Sequence, residues 1–237
     1  MDKVGKIALL LLLSATTIAG FLWLPPAVGF QQPALARMVV FHVPCSMAAY
    51  AATFVATWYA VRYLWKRQWE DDIKSRVSFA LGLVFWGLTT VTGALFAKVQ
   101  WGAYWNWDIK QGAILMLLLV FAAYFALRAA VDEPRKQATL GAAYAIFALL
   151  AAPYLTYVLP NQTPDTLHPK GVLKGGLSPE YSLVLWSGVL GLILTYVWAW
   201  RVQVAAETLQ WQVSRRRRRA RPAPLLDEAV LEKAGNR

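Results

Sequence analysis

Apolar residues in this chain run in long blocks separated by short polar stretches. Six blocks stand out, at 7–24, 39–64, 77–97, 112–131, 138–159 and 181–200. Each is close to the roughly 20 residues that a helix needs to cover about 30 Å of hydrocarbon. The strict alternation of a membrane barrel is absent, and no internal repeat recurs at a fixed period. The pattern predicts an all-α, polytopic membrane protein: six transmembrane helices in a single membrane domain over 1–237. Residues 98–111 are expected to form an external Trp-rich segment, and 201–237 a basic cytoplasmic tail.

The first block has two readings. Lys3 and Lys6 precede it and Ala34-Leu35-Ala36 follows, as in a secretory leader. Its apolar run is longer than a leader's usual core of 7–15 residues, and the Ala-x-Ala lies well beyond it. It is expected to be retained as the first helix.

Basic residues set the expected orientation. One set of connections carries Lys3, Lys6, Arg62, Lys66, Arg67, Lys74, Arg76, Arg128, Arg135 and Lys136, and the C-terminal stretch adds Arg201, Arg215 to Arg219, Arg221, Lys233 and Arg237. The opposite set carries only Arg37, Lys98, Lys110, Lys170 and Lys174. The positive-inside rule places both termini in the cytoplasm and the Trp-rich segment outside.

Composition changes this picture little. With 58% hydrophobic and 16% charged residues, the chain is outside the range of soluble domains. The net charge of +11 sits largely in the basic connections and tail, where topology and anionic lipid account for it, so no nucleic-acid partner is expected. A single cysteine, Cys45, excludes an internal disulfide and a self-contained Cys-x-x-Cys-His attachment site. No phosphate-cradling P-loop is present, so the chain does not hydrolyse ATP itself.

The candidate chemistry is concentrated outside. Trp101-Gly102-Ala103-Tyr104-Trp105-Asn106-Trp107-Asp108 packs three indoles and a phenol beside a carboxylate. Interfacial anchoring explains one or two such residues, whereas the whole set suits a large flat ligand such as haem. Both histidines of the chain, His42 and His168, fall on the same outer side by this topology. Interfacial hydrogen bonding would suit either one alone; two imidazoles from different segments could also ligate an iron from both sides. Lys98 and Lys110 flank the aromatic segment and, with Arg37, are candidates to meet haem propionates. Trp86 and Trp198 fall within predicted helices, away from this segment.

The Trp-Gly-x-x-Trp-x-Trp-Asp run resembles the signature of the haem-handling "WWD" superfamily. His42-Val43-Pro44 and Leu167-His168-Pro169 are similar to the two external histidine regions of its CcmC family, and the resemblance covers essentially the whole chain. Ile109-Lys110-Gln111-Gly112 departs from the Arg-Leu-Thr-Ser that usually follows in CcmC. There, and at Tyr104, the motif leans toward the CcsA and CcmF types. The resemblance implies non-covalent haem b on the outer face, with His42 and His168 as axial ligands. It makes Trp101, Gly102, Tyr104, Trp105, Trp107 and Asp108 the cofactor platform. It further implies delivery to the periplasmic chaperone CcmE, within a complex of CcmA, CcmB and CcmD, and no catalytic residue. Two alternatives belong to other classes. A small CcsA/CcmF-like haem lyase would need more histidines inside the helices, which this chain lacks. A channel subunit of a haem exporter would show polar groups in mid-membrane. Helices four and five have almost none across their middles, while helix three carries Ser78, Thr89, Thr90 and Thr92.

Overall fold

The computed structural model describes residues 2–164, 166–168 and 177–220. Asp165, Lys170 and Lys174, and Arg221, Lys233 and Arg237 of the tail, lie outside the described residues. The helices are α1 (Lys3–Ile18), α2 (Val39–Lys66), α3 (Trp69–Trp101), α4 (Ile109–Ala129), α5 (Pro134–Pro153), α6 (Leu159–Gln162) and α7 (Pro179–Ala220). Among the described residues no strand occurs, and six helical stretches are long and apolar enough to cross a membrane. The chain is thus an all-α, multi-pass membrane protein.

Local chemistry sets where these helices stop and start. Asp2 caps α1 by accepting from Gly5 N–H at 2.9 Å, and Glu70, Asp71 and Asp72 occupy the first turn of α3, where carboxylates suit the positive end of the helix dipole. Gly102 closes α3 at φ 84°, a left-handed conformation that glycine adopts without a Cβ penalty. Asp108 caps α4 by accepting from Lys110 N–H. Pro153 has no N–H to continue the ladder, and the chain passes into a π-helical turn over Tyr154–Val158 before α6. That turn carries Thr156 and Tyr157 to the cavity described below.

In lipid, helices associate through close packing and interhelical hydrogen bonds, since the tails are as apolar as leucine. Here α2 presents Ala48, Ala52, Ala56 and Ala60 in steps of four, and α5 presents Ala138, Ala142, Ala145, Ala148 and Ala152; all are buried. Backbones that approach this closely can be bridged by short hydroxyls. Ser75 and Ser78 of α3 donate to the carbonyls of Ala56 and Ala52 at 2.8 and 2.7 Å, and Thr57 donates to Ala145 at 2.9 Å. Phe79, Phe121 and Tyr124 stack between α3 and α4.

One end of the bundle is locked by charge. Arg128 of α4 makes a bidentate pair with Asp72 of α3 at 2.7 and 2.9 Å, both side chains being buried. Gln137 of α5 donates to the Arg128 carbonyl at 2.6 Å. Three helices are therefore tied at the base of α3, opposite the end where α3 meets the Trp-rich segment. A cavity can form at that far end without loosening the bundle.

Candidate functional site

At the far end, α2, α3 and α4 diverge around a cavity of about 620 Å³, within the usual range for small-molecule sites. Its walls are mostly apolar or aromatic: Val43 and Met47 from α2, Phe96 from α3, Trp105 from the Trp-rich segment and Ile114 from α4. Both His42 and His168 line it. They come from segments distant in the chain, so the bundle itself brings them together.

Each imidazole is oriented by a partner on Nδ1. His42 lies in the first turns of α2, with Nδ1 3.1 Å from the hydroxyl of Thr92 on α3. With the Thr92 proton on the Leu88 carbonyl at 2.7 Å, the threonine oxygen is the acceptor for an Nδ1–H of His42. Gly93 completes this seat: a Cβ there would fall 2.8 Å from His42 Cε1. His168 donates from Nδ1 to Asp108 at 2.7 Å. Its ring stands edge-to-face with Trp101, centroids 4.9 Å apart. With Nδ1 carrying the hydrogen in each ring, Nε2 is the nitrogen that can offer a lone pair to a metal.

Asp108 organises the outer wall. Its side chain is 1% exposed and accepts from Lys110 N–H at 3.0 Å, the Thr166 hydroxyl at 2.9 Å and Leu167 N–H at 2.8 Å as well as from His168. Burial opposes ionisation of this carboxyl. The Leu167, Thr166 and Lys110 hydrogen bonds and the nearby His168 outweigh it and hold the group below the usual carboxylate range. Burial and then the Lys110 ammonium push His168 down to about 4, against the pull of Asp108. The ring is therefore neutral at physiological pH, and its contact with Asp108 is a charge-assisted hydrogen bond rather than an ion pair.

The other residues singled out from the sequence separate into two groups. Trp105 and Lys110 line the cavity. Trp101 touches His168 and stacks edge-on against Phe96 at 5.8 Å. Gly102, by contrast, ends α3. Tyr104 is 57% and Trp107 78% exposed, and Trp107 stands edge-on to the cavity-lining Trp105 at 5.9 Å. Trp107 also sits at φ 53°, a left-handed conformation unusual for a bulky residue. Lys98 is committed elsewhere, donating to the Gly102 carbonyl at 2.9 Å and lying over the Tyr104 ring. Arg37 likewise donates to the carbonyls of Ala34 and Phe21. Of the basic candidates, Lys110 is the one on the cavity wall.

Several participants carried no clear mark in the sequence. Thr92, Thr166 and Gln111 position the site; Gln111 accepts from Asn106 N–H at 2.7 Å and donates to the Tyr104 carbonyl at 3.3 Å, pinning the aromatic segment to α4. A glutamine in the first turn of an apolar helix was the available signal. Trp86 lies inside α3, as the sequence predicts, and there lines the cavity with Tyr50 and Thr156. Its position one turn below Thr89 and Thr90 could be inferred only once α3 was known to border a cavity.

Comparison with known proteins gives a consistent match. The family described as CcmC, heme exporter protein C, matches residues 2–223. Among its curated relatives, heme exporter protein C of Bradyrhizobium diazoefficiens is 26% identical over 196 residues, covering 81% of this chain and 72% of that protein. The Escherichia coli K12 protein of the same name is 26% identical over 192 residues, covering 79% and 76%. That of Haemophilus influenzae is 24% identical over 213 residues, covering 87% and 84%.

Proposed function

The chain belongs to the CcmC family, heme exporter protein C, whose members handle haem in cytochrome c maturation, and we propose that it holds haem in the cavity and hands it to a CcmE-type chaperone. The observation that carries this reading is the pair of imidazoles on one apolar cavity, each with Nδ1 held by a polar partner. His42 and His168 would take the two axial positions of a non-covalent haem b. Trp105, Phe96, Met47 and Ile114 supply apolar walls for the macrocycle, and Trp101 holds the His168 ring from the side. Lys110 is placed for a propionate. Haem itself brings the redox-active iron and the vinyl group that the partner takes up.

Delivery rather than synthesis fits these residues. The two histidines are both engaged at the cavity, and no further imidazole exists in the chain to manage a second haem position or a thioether reaction. Tyr104 and Trp107, exposed beside the cavity, form the rim that a chaperone would meet. The Lys and Arg distribution supports termini in the cytoplasm and the cavity on the periplasmic side. Partners of the CcmA, CcmB and CcmD types would then surround the bundle and its basic cytoplasmic extension.

The test is reconstitution of the haem-loaded protein in liposomes with either a CcmE-type chaperone or apocytochrome c. Covalent haem should accumulate on the chaperone, and apocytochrome c alone should stay unmodified. Thioether formation on apocytochrome c by this protein alone would overturn delivery and favour a synthetase. Absence of a low-spin spectrum from the loaded protein, or its persistence in both His42→Ala and His168→Ala, would remove the bis-histidine site.

A further inference from the structure

The two imidazoles have unequal partners. The Nδ1 hydrogen of His42 meets the neutral hydroxyl of Thr92, whose own proton goes to a backbone carbonyl. That of His168 meets the buried carboxylate of Asp108. A carboxylate draws the proton more strongly and makes the opposite nitrogen a more basic ligand. It also adds a full negative charge close to the metal position, in a region that water does not screen well. Ferric haem carries one more positive charge than ferrous haem, so both effects favour the ferric form. Lys110 holds the opposite charge on the same wall, and in the haem reading a propionate takes it up.

We propose, resting on the haem reading above, that Asp108 is a positioning residue that makes the two axial ligands inequivalent and biases the bound haem toward the ferric state. His168 is the stronger ligand and His42 the weaker. Asp108 exerts this control twice over, because the same carboxylate also accepts from Thr166 and Leu167 and so anchors the segment that carries His168. The aspartate of the Trp-rich motif is thereby assigned to the iron through a histidine rather than to the macrocycle.

The experiment is a spectroscopic redox titration of the full-length, haem-loaded protein in nanodiscs. Asp108→Asn should lower the preference for ferric over ferrous haem at least tenfold, an upward shift of about 59 mV for a one-electron couple. Thr92→Val, on the neutral side, should shift it less. Should Asp108→Asn release the His168 segment and lose the low-spin spectrum, a second comparison keeps charge and tether apart. His168→Gly is supplied with free imidazole, with Asp108 either present or changed to Asn. The ligand is then untethered in both, so a potential difference of the same sign supports the charge effect. Equal potentials in that pair overturn the proposal, as does a Thr92→Val shift as large as that of Asp108→Asn. A wild-type protein that binds no low-spin haem would defeat the haem reading itself, and this inference with it.

Discussion

Gly93 offers the sharpest test of how His42 is seated. A methyl group added there would lie 2.8 Å from His42 Cε1, 3.3 Å from Nδ1 and 3.6 Å from Nε2, so the whole ring is in its way. The ring must move, and moving it gives up the 3.1 Å bond to Thr92. Forcing a methyl into packed surroundings costs about 1–3 kcal/mol, and the site feels that cost through the imidazole it displaces. Affinity for haem should therefore fall roughly 5- to 150-fold at about 1.4 kcal/mol per tenfold. Gly87, on the same helix, is the matched control, because a Cβ there meets nothing within 4 Å. At Gly87 alanine brings only its helix preference, worth about 0.5–1 kcal/mol in favour of the fold. The assay is haem titration of purified Gly93→Ala and Gly87→Ala, following the low-spin bands, with thermal unfolding as a check on folding. Equal affinities and identical low-spin spectra in the two variants would refute the seat assigned to His42.

Further outcomes follow from the same geometry. Lys110→Ala should weaken haem binding while leaving the axial spectrum intact, whereas Lys98→Ala should leave haem affinity unchanged because that ammonium serves the end of α3; side-by-side titrations check this. Trp105→Ala should lose about 0.5–1.5 kcal/mol of haem binding beyond the area it buries, and Trp107→Ala should retain binding but impair transfer to the chaperone, as measured by covalent haem on that partner. At the other end of the bundle, Arg128→Met should destabilise the fold by about 3–5 kcal/mol by leaving Asp72 buried and unpaired. The double variant Asp72→Leu/Arg128→Met should recover much of that loss, with thermal unfolding in detergent as the measure; no recovery would mean that the pair is not the lock described.

What the sequence determined by itself was whatever depends on solvent and on short range. Apolar runs of membrane-spanning length force helices, because the backbone has no other partner in hydrocarbon, and the six spans were legible for that reason. The Trp-rich motif and the contexts of His42 and His168 were enough to recognise the family. Side-chain partnerships were not legible, since they depend on how helices distant in the chain rotate against one another. Nothing local distinguishes Lys98 from Lys110: both flank the aromatic segment, yet the left-handed turn at Gly102 gives Lys98 a carbonyl to satisfy, while the first turn of α4 puts Lys110 on the cavity wall. Trp86 read as an ordinary helix residue until the packing of α2 against α3 set it beside Tyr50 and the cavity. The pairing of Asp108 with His168, 60 residues apart, was decided only by the tertiary structure, because it is the return of the chain after α6 that brings the imidazole back to the cap of α4.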